Sequence, residues 1–322
     1  MKAYVGIDLG GTDIKYGLAD SSGGIIIFRR KPARVSEGQD GLLENLKICA
    51  EELLLYAREN KMRVPYLGVG SPGTVDSDQG TILGHSPNIP DWKGTKLAAY
   101  LSKHLRLPVY VGNDANLMAL AEVMFGAARG YKNVFCTTIG TGIGGAVIVD
   151  GKLVIGKSYS AGEFGHIPII KDGRQCKCGQ KGCLEPYASL SGLLKSARSL
   201  AGKAKKKSAF AKLIQEKKNL TVKDIFYYFK ANDIVAVKAV EMQAGYLASG
   251  LAVVVNLLNP EIVVIGGGIA DAGGAGYIGL IKRILKARIL PDAAVDLKVV
   301  RARLGNRAGF IGAAFQREKI PA

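Results

Sequence analysis

Short apolar runs of alternating type divide the chain, each closed by glycine, proline or a polar cluster. Tyr4–Leu9 opens as a strand, turns through Gly10-Gly11 and returns as Ile14–Ala19. Ser21-Ser22-Gly23-Gly24 is a second turn signal and Ile25–Arg30 a third strand, which predicts an antiparallel meander. Gly41–Asn60 carries Leu42, Leu46, Ala50, Leu53 and Leu54 near helical spacing and predicts an amphipathic helix. A strand over Tyr66–Ser71, a turn at Pro72-Gly73, a helix over Leu97–Leu105, a strand over Val109–Gly112 and a helix over Asn113–Phe125 follow.

The pattern then starts again. Val134–Ile139 reads as a strand, Gly140–Gly145 as a glycine turn, Ala146–Val149 as the returning strand and Lys152–Ile155 as a third. Helices are expected around Ser189–Leu200, Val222–Phe229 and Ile234–Leu258, the last stopped by Pro260. A buried strand at Ile262–Ile265 runs into Gly266-Gly267-Gly268. Helices at Ile278–Leu285 and Ala308–Glu318 flank a strand at Val295–Val300. A hairpin with a glycine-rich tip thus occurs twice, as Tyr4–Ala19 and Phe135–Val149, in the order of a duplicated α/β domain. The expected division is 1–118, completed by the C-terminal helix 306–322, and 119–305, with the boundary between about Asn116 and Lys132.

Composition changes this picture little. The chain has 322 residues, 48% hydrophobic and 22% charged, enough for two ordinary globular cores. Apolar runs such as Leu251–Leu258 fall short of a membrane span, and the first strand lacks the layout of a signal peptide, so a cytoplasmic protein without a membrane partner is expected. The net charge of +17 raises the question of nucleic acid. Many lysines lie in 203–207 and 212–218 without interleaved aromatics, and are read as a solvated variable surface rather than a nucleic-acid site. Of five cysteines, Cys49 and Cys136 stand alone and are read as small core residues.

The chemistry lies in the glycine tips. In Asp8-Leu9-Gly10-Gly11-Thr12-Asp13-Ile14-Lys15, glycines let backbone N–H groups wrap an anion. Asp8 is placed to hold Mg²⁺ through water, and Thr12 and Lys15 to touch phosphate oxygens. Gly140-Thr141-Gly142-Ile143-Gly144-Gly145 has strand on both sides, which argues against a dinucleotide-binding turn and for the other half of a phosphate clamp. Gly266-Gly267-Gly268 after a buried strand offers flat backbone to the adenine and ribose of ATP. Between the first two loops, Asp114 follows a strand end and starts a helix, where a carboxylate can accept the proton of an attacking hydroxyl or simply cap the helix. His166, Cys176, Cys178 and Cys183 form a Cys₃His set suited to a tetrahedral structural Zn²⁺, which would also orient Glu163, His166 and Glu185 toward one point.

The order of the three loops resembles the superfold of actin, heat-shock protein 70 and hexokinase: two similar α/β ATPase domains flanking a nucleotide and sugar cleft. Gly-Thr-Gly-Ile-Gly-Gly at 140–145, Gly162-Glu163-Phe164-Gly165-His166, and the cysteine segment ending at Glu185 resemble the ROK family of sugar kinases and sugar-responsive repressors. Ser71-Pro72-Gly73, the segment Pro87–Trp92 and Asn256–Pro260 fit the same family. The resemblance implies ATP-dependent phosphorylation of a hexose, glucose first, with Asp114 as base and Asn113 on a sugar hydroxyl. It also implies that Glu163, His166 and Glu185 bind hydroxyls near the anomeric end, that Gly73 and Asn88 border the sugar, and that the protein is a homodimer or homotetramer. His166 would serve zinc with one ring nitrogen and sugar with the other. Trp92 is read as packing beside the sugar loop, and His85 and His104 as structural or surface residues. The rivals are another acceptor (N-acetylmannosamine, N-acetylglucosamine, fructose or allose), a DNA-binding repressor, and a conformational ATPase. A repressor would need a helix-turn-helix ahead of Asp8.

Overall fold

The computed structural model describes residues 1–84, 86, 89–203, 208–217 and 219–320. The chain divides into two compact units, Met1–Gly130 with Val147–Ala161 and Arg303–Ala322, and Tyr131–Ala146 with Gly162–Ala302.

The first unit begins with the expected meander, β1 (Tyr4–Leu9), β2 (Asp13–Ala19) and β3 (Ile25–Pro32). Helix α1 (Gly38–Glu59) follows, then β4 (Leu67–Ser71), the short pair β5 (Val75–Asp76) and β6 (Thr81–Ile82), α2 (Leu97–Leu105), β7 (Val109–Asn113) and α3 (Asp114–Phe125). The sheet order is β3-β2-β1-β4-β7, with β4 and β7 parallel to β1. Alternation explains the packing. Val5, Ile7, Leu9, Ile14, Leu18, Val69 and Val111 are buried and share one core with Leu42, Leu46 and Leu53 of α1. Parallel pairing sets Asp8 beside Gly70 and Gly70 beside Gly112, so the first glycine loop, the Ser71-Pro72-Gly73 turn and Asn113-Asp114 all leave the same edge of the sheet. This is the edge at which open α/β sheets hold their ligands.

The second half of the chain repeats the arrangement with β8 (Val134–Ile139), β9 (Ile143–Val149) and β10 (Lys152–Val154), then α4 (Glu185–Ala188), α5 (Leu190–Lys203), α6 (Ala209–Glu216), α7 (Val222–Lys230), α8 (Ile234–Leu258), β11 (Ile262–Gly266), α9 (Gly268–Lys286) and β12 (Lys298–Arg301); the end of β9 and β10 are grouped with the first unit and the rest with the second. The sheet order in this half is β10-β9-β8-β11-β12, again a meander followed by two parallel strands. Helix α8 is long and apolar enough to span a membrane by length and composition alone, contrary to the expectation from shorter runs. Half of that stretch is buried, with Leu247, Leu251 and Val255 fully so. The last helix, α10 (Ala308–Phe315), is nearly all buried and packs on β1, β4 and α3 of the first unit.

Three departures from the pattern have a physical reason. Helix α9 starts ten residues earlier than its strongest apolar periodicity, and Gly274 breaks it with φ 60°, which diluted the signal. Helix α6 rises from the lysine-rich stretch because Phe210 and Ala211 are buried and Ser208 caps it; residues 204–207 and 218 of that stretch lie outside the described residues. The final strand is shorter, Lys298–Arg301, since β12 pairs only with Ile262–Ile265.

Candidate active site

In the first unit the glycine tip is a tight turn, with Gly10 N–H donating to Asp13 O at 2.9 Å and Ala33 N–H to Thr12 O at 2.8 Å. Asp8 faces Lys15 across the hairpin, Nζ to Oδ2 3.3 Å. Burial pushes the Asp8 carboxyl above its ordinary range, against the pull of the Lys15 ammonium. A largely buried carboxylate whose one paired ammonium does not offset its desolvation is short of positive charge, which suits a divalent cation beside it. Asp13 pairs outward with Arg30.

At the end of β7 the structure separates two jobs that the sequence left to one residue. Asn113, not Asp114, caps α3: its Oδ1 accepts from Ala115 N–H at 3.0 Å and Asn116 N–H at 3.1 Å. Its Nδ2 donates to Gly73 O at 3.1 Å and to Asp114 Oδ1 at 3.0 Å. The amide thus uses both donors and both acceptor positions, and fixes the orientation of Asp114. Asp114 Oδ1 also accepts from Ala115 N–H at 2.9 Å. Gly73 has φ 89° and its carbonyl is occupied by Asn113. Ser71 is fully buried and accepts from Trp92 Nε1 at 2.9 Å, so the only tryptophan is packing at the base of this turn, as expected. His85 and Asn88 lie outside the described residues. His104 is exposed and bonds the Tyr100 carbonyl of its own helix.

In the second unit the loops are built against each other. Gly140 N–H donates to Gly142 O at 2.9 Å, and Leu190 N–H to Gly140 O at 2.9 Å. Thr141 at the tip is exposed. Gly267 has φ 89°, and a Cβ there would lie 2.5 Å from Ile139 O; only glycine lets β11 turn so close to the second loop. Gly266 ends β11 and Gly268 opens α9, so the triple glycine is a strand-to-helix turn at a helix N-terminus rather than an open loop. Glu185 Oε2 accepts from Ile143 N–H at 2.8 Å, and a Cβ on Gly142 would lie 2.7 Å from the same oxygen. A carboxylate is therefore held directly on the second glycine loop.

Phe164 anchors the Gly162–His166 turn. It is buried and packs edge-on to Phe135, with centroids 4.9 Å apart. Glu163 and His166 project from this anchor, with His166 Nε2 3.9 Å from Glu163 Oε2. The other ring nitrogen, Nδ1, is 3.6 Å from Cys176 Sγ, and Cys178 Sγ is 3.7 Å from Cys183 Sγ. One donor atom from each of the four residues lies within 4.8 Å of every other. Tetrahedral zinc with bonds of about 2.3 Å to sulfur and 2.0 Å to nitrogen requires edges of about 3.8 Å between sulfurs and 3.5 Å from sulfur to nitrogen. The donor set fits. The loop is folded around it by Cys176 N–H to Gln180 O at 2.8 Å, Gly179 N–H to Cys176 O at 3.2 Å, and the Gln175 side-chain amide, which reaches the carbonyls of Cys176, Gly179 and Gln180. Burial pushes the Cys176 thiol up and that of Cys183 up to about 12. Burial also opposes ionisation of Cys178, but the Gln180 amide and the neighbouring thiols outweigh it and lower its value. Three sulfurs crowded in this way are acceptable as thiolates only with a cation among them.

Sequence reasoning missed Arg174. Its guanidinium donates to Pro186 O at 2.9 Å and lies 4.5 Å from the Tyr187 ring. No motif marks it, because its partners are a carbonyl and an aromatic face rather than a spaced acid.

A family model described as ROK family matches residues 4–319. A glucokinase of Halalkalibacterium halodurans is 37% identical over 311 residues, covering 96% of this chain and 93% of that protein. An N-acetyl-D-glucosamine kinase of Yersinia pseudotuberculosis is 32% identical, covering 97% and 98%. Among solved structures, a ROK family glucokinase from Streptomyces griseus in complex with glucose and AMPPNP superposes with a TM-score of 0.85 at 32% identity, covering 98% of both chains.

Proposed function

The chain belongs to the ROK family, and on that premise we propose that it transfers the γ-phosphoryl group of ATP to a hexose, with glucose as acceptor and its 6-hydroxyl as nucleophile. The observation that carries the reading is Asp114 fixed at a strand end by Asn113, in a chain 37% identical to a glucokinase. Asp114 takes the proton of the attacking hydroxyl as the oxygen–phosphorus bond forms. The bond from the γ-phosphorus to the bridging oxygen breaks and ADP leaves; Asp8 would hold Mg²⁺, which would supply positive charge to the phosphates. Gly10, Gly11, Thr12 and Lys15 bind phosphate oxygens, and so do Gly140, Thr141 and Gly142. Gly266, Gly267 and Gly268 receive the nucleoside at the turn from β11 into α9.

Glu163, His166 and Glu185 bind sugar hydroxyls, with Gly73 and Asn88 bordering the ring. Asn113 reaches a sugar hydroxyl by exchanging its bond to Gly73, while the bond to Asp114 keeps the base aimed. His166 Nδ1, Cys176, Cys178 and Cys183 would hold a structural Zn²⁺ that would neutralise the thiolates, leaving Nε2 of His166 for the sugar. We extend the reading to a cytoplasmic homodimer or homotetramer. The Yersinia relative favours a second acceptor class, the N-acetylhexosamines.

Asp114→Asn tests the assignment. The variant keeps the bond from Asn113 in one amide orientation but cannot take a proton, and kcat should fall at least ~10²-fold. Near-normal turnover would remove Asp114 from the role.

A further inference from the structure

We propose that Arg174 is a positioning residue that ties the metal-binding loop to the helix beginning at Glu185, so that filling the Cys₃His cluster fixes Glu185 against the second glycine loop. The proposal rests on the function above for what Glu185 does, but not for the coupling itself.

Helix α4 has four residues, too short to hold its own shape in water. Its position must come from what grips it. The far end is gripped by the core, where Gln243 Nε2 donates to Ala188 O at 2.6 Å and is itself fixed by Tyr277 Oη at 2.7 Å. The near end is gripped by Arg174. Its Nη1 donates to Pro186 O at 2.9 Å, its Nη2 reaches Ser196 Oγ at 3.4 Å, and its planar group covers the Tyr187 ring. Its backbone N–H donates to Tyr187 Oη at 2.5 Å.

The same residue is stitched to the metal loop. Its carbonyl accepts from Gly182 N–H at 2.9 Å, one residue before Cys183, and Cys176 follows two residues later. Arg174 therefore stands where both strands of the loop enter the cluster. From α4 the path continues to Glu185, whose carboxylate accepts the Ile143 amide at 2.8 Å, and to Leu190, whose amide holds Gly140 O. Without metal the crowded cysteines spread, Arg174 loses its seat, and the carboxylate slackens on the loop.

The readout is hydrogen exchange at the Ile143 amide, the proton Glu185 holds, measured together with zinc content. In wild type, chelating zinc should speed exchange in the 140–145 segment. In zinc-loaded Arg174→Ala, with zinc still near one per chain, the same segment should exchange about tenfold faster, the weight of one charge-assisted hydrogen bond. Chelation should then add less than about twofold, because both changes act through one path. Sugar KM should rise in the variant and recover partly in Arg174→Lys, which keeps one donor. Wild-type exchange in zinc-loaded Arg174→Ala, or fully additive effects of the variant and chelation, overturns the proposal. If Arg174→Ala fails to fold or to hold zinc, Arg174→Lys decides: loaded with zinc it must show intermediate exchange, and a wild-type value refutes the coupling. A chain that phosphorylates no sugar would contradict the proposed function while leaving this exchange result readable.

Discussion

The two halves of the chain share a sheet order and differ in how they hold chemistry. In the first, the candidate residues sit on strand ends. Asp8, Ser71 and Asn113 are fixed by ladder pairing and by short bonds to adjacent backbone. In the second, Glu163, His166 and Glu185 stand on a long excursion between β10 and α5 whose regular structure is one 3-10 turn and the four-residue α4. There, order comes from a buried phenylalanine, an arginine clamp and a donor set built for a metal. A sheet edge supplies rigid positions without added parts, whereas a loop can bring side chains from distant points of the chain to one place if something replaces the missing core.

The contrast can be broken by experiment. The largest effect should come from the metal. Cys183→Ser should lower the zinc content well below one per chain and cut sugar phosphorylation by at least ~10²-fold, the upper range for disturbed metal surroundings. Elemental analysis beside a steady-state assay checks this; full activity without zinc would erase the distinction between the units. Next is Glu185→Gln, which retains the acceptor for Ile143 but loses the charge. We expect about a tenfold loss in kcat/KM, the weight of a charge-assisted hydrogen bond. The smallest effect belongs to the first unit. Asn113→Ala removes a helix cap and should cost ~1 kcal/mol in urea unfolding. Asn113→Asp restores the cap acceptor but not the Nδ2 donors. It should regain stability without regaining turnover, which would separate capping from the aiming of Asp114.

Much of this was legible in the sequence, for stated reasons. Both meanders, the order of the glycine loops and the Cys₃His set announce themselves because glycine, cysteine and histidine carry their chemistry in their identity and spacing. Cys49 and Cys136 are fully buried, as two lone small residues in apolar patterns should be. Asn113 and Asp114 were not separable, since either can cap a helix, and only the direction of each side chain decides. Arg174 and Gln243 act on carbonyl oxygens, which every residue owns and no spacing reveals. The early start of α9 was hidden by the glycines that let β11 turn beside Ile139.

The most direct test of the central claim is a coupled ADP-release assay of the zinc-loaded protein with Mg-ATP and a panel of glucose, N-acetylglucosamine, N-acetylmannosamine, fructose and allose. The account predicts glucose-dependent ADP release, with kcat/KM for glucose at least about tenfold above every other sugar, a discrimination within reach of a pocket that hydrogen-bonds hydroxyls. Absence of glucose-dependent release would contradict glucose as acceptor, and ADP release that is indifferent to every sugar would contradict a sugar kinase altogether.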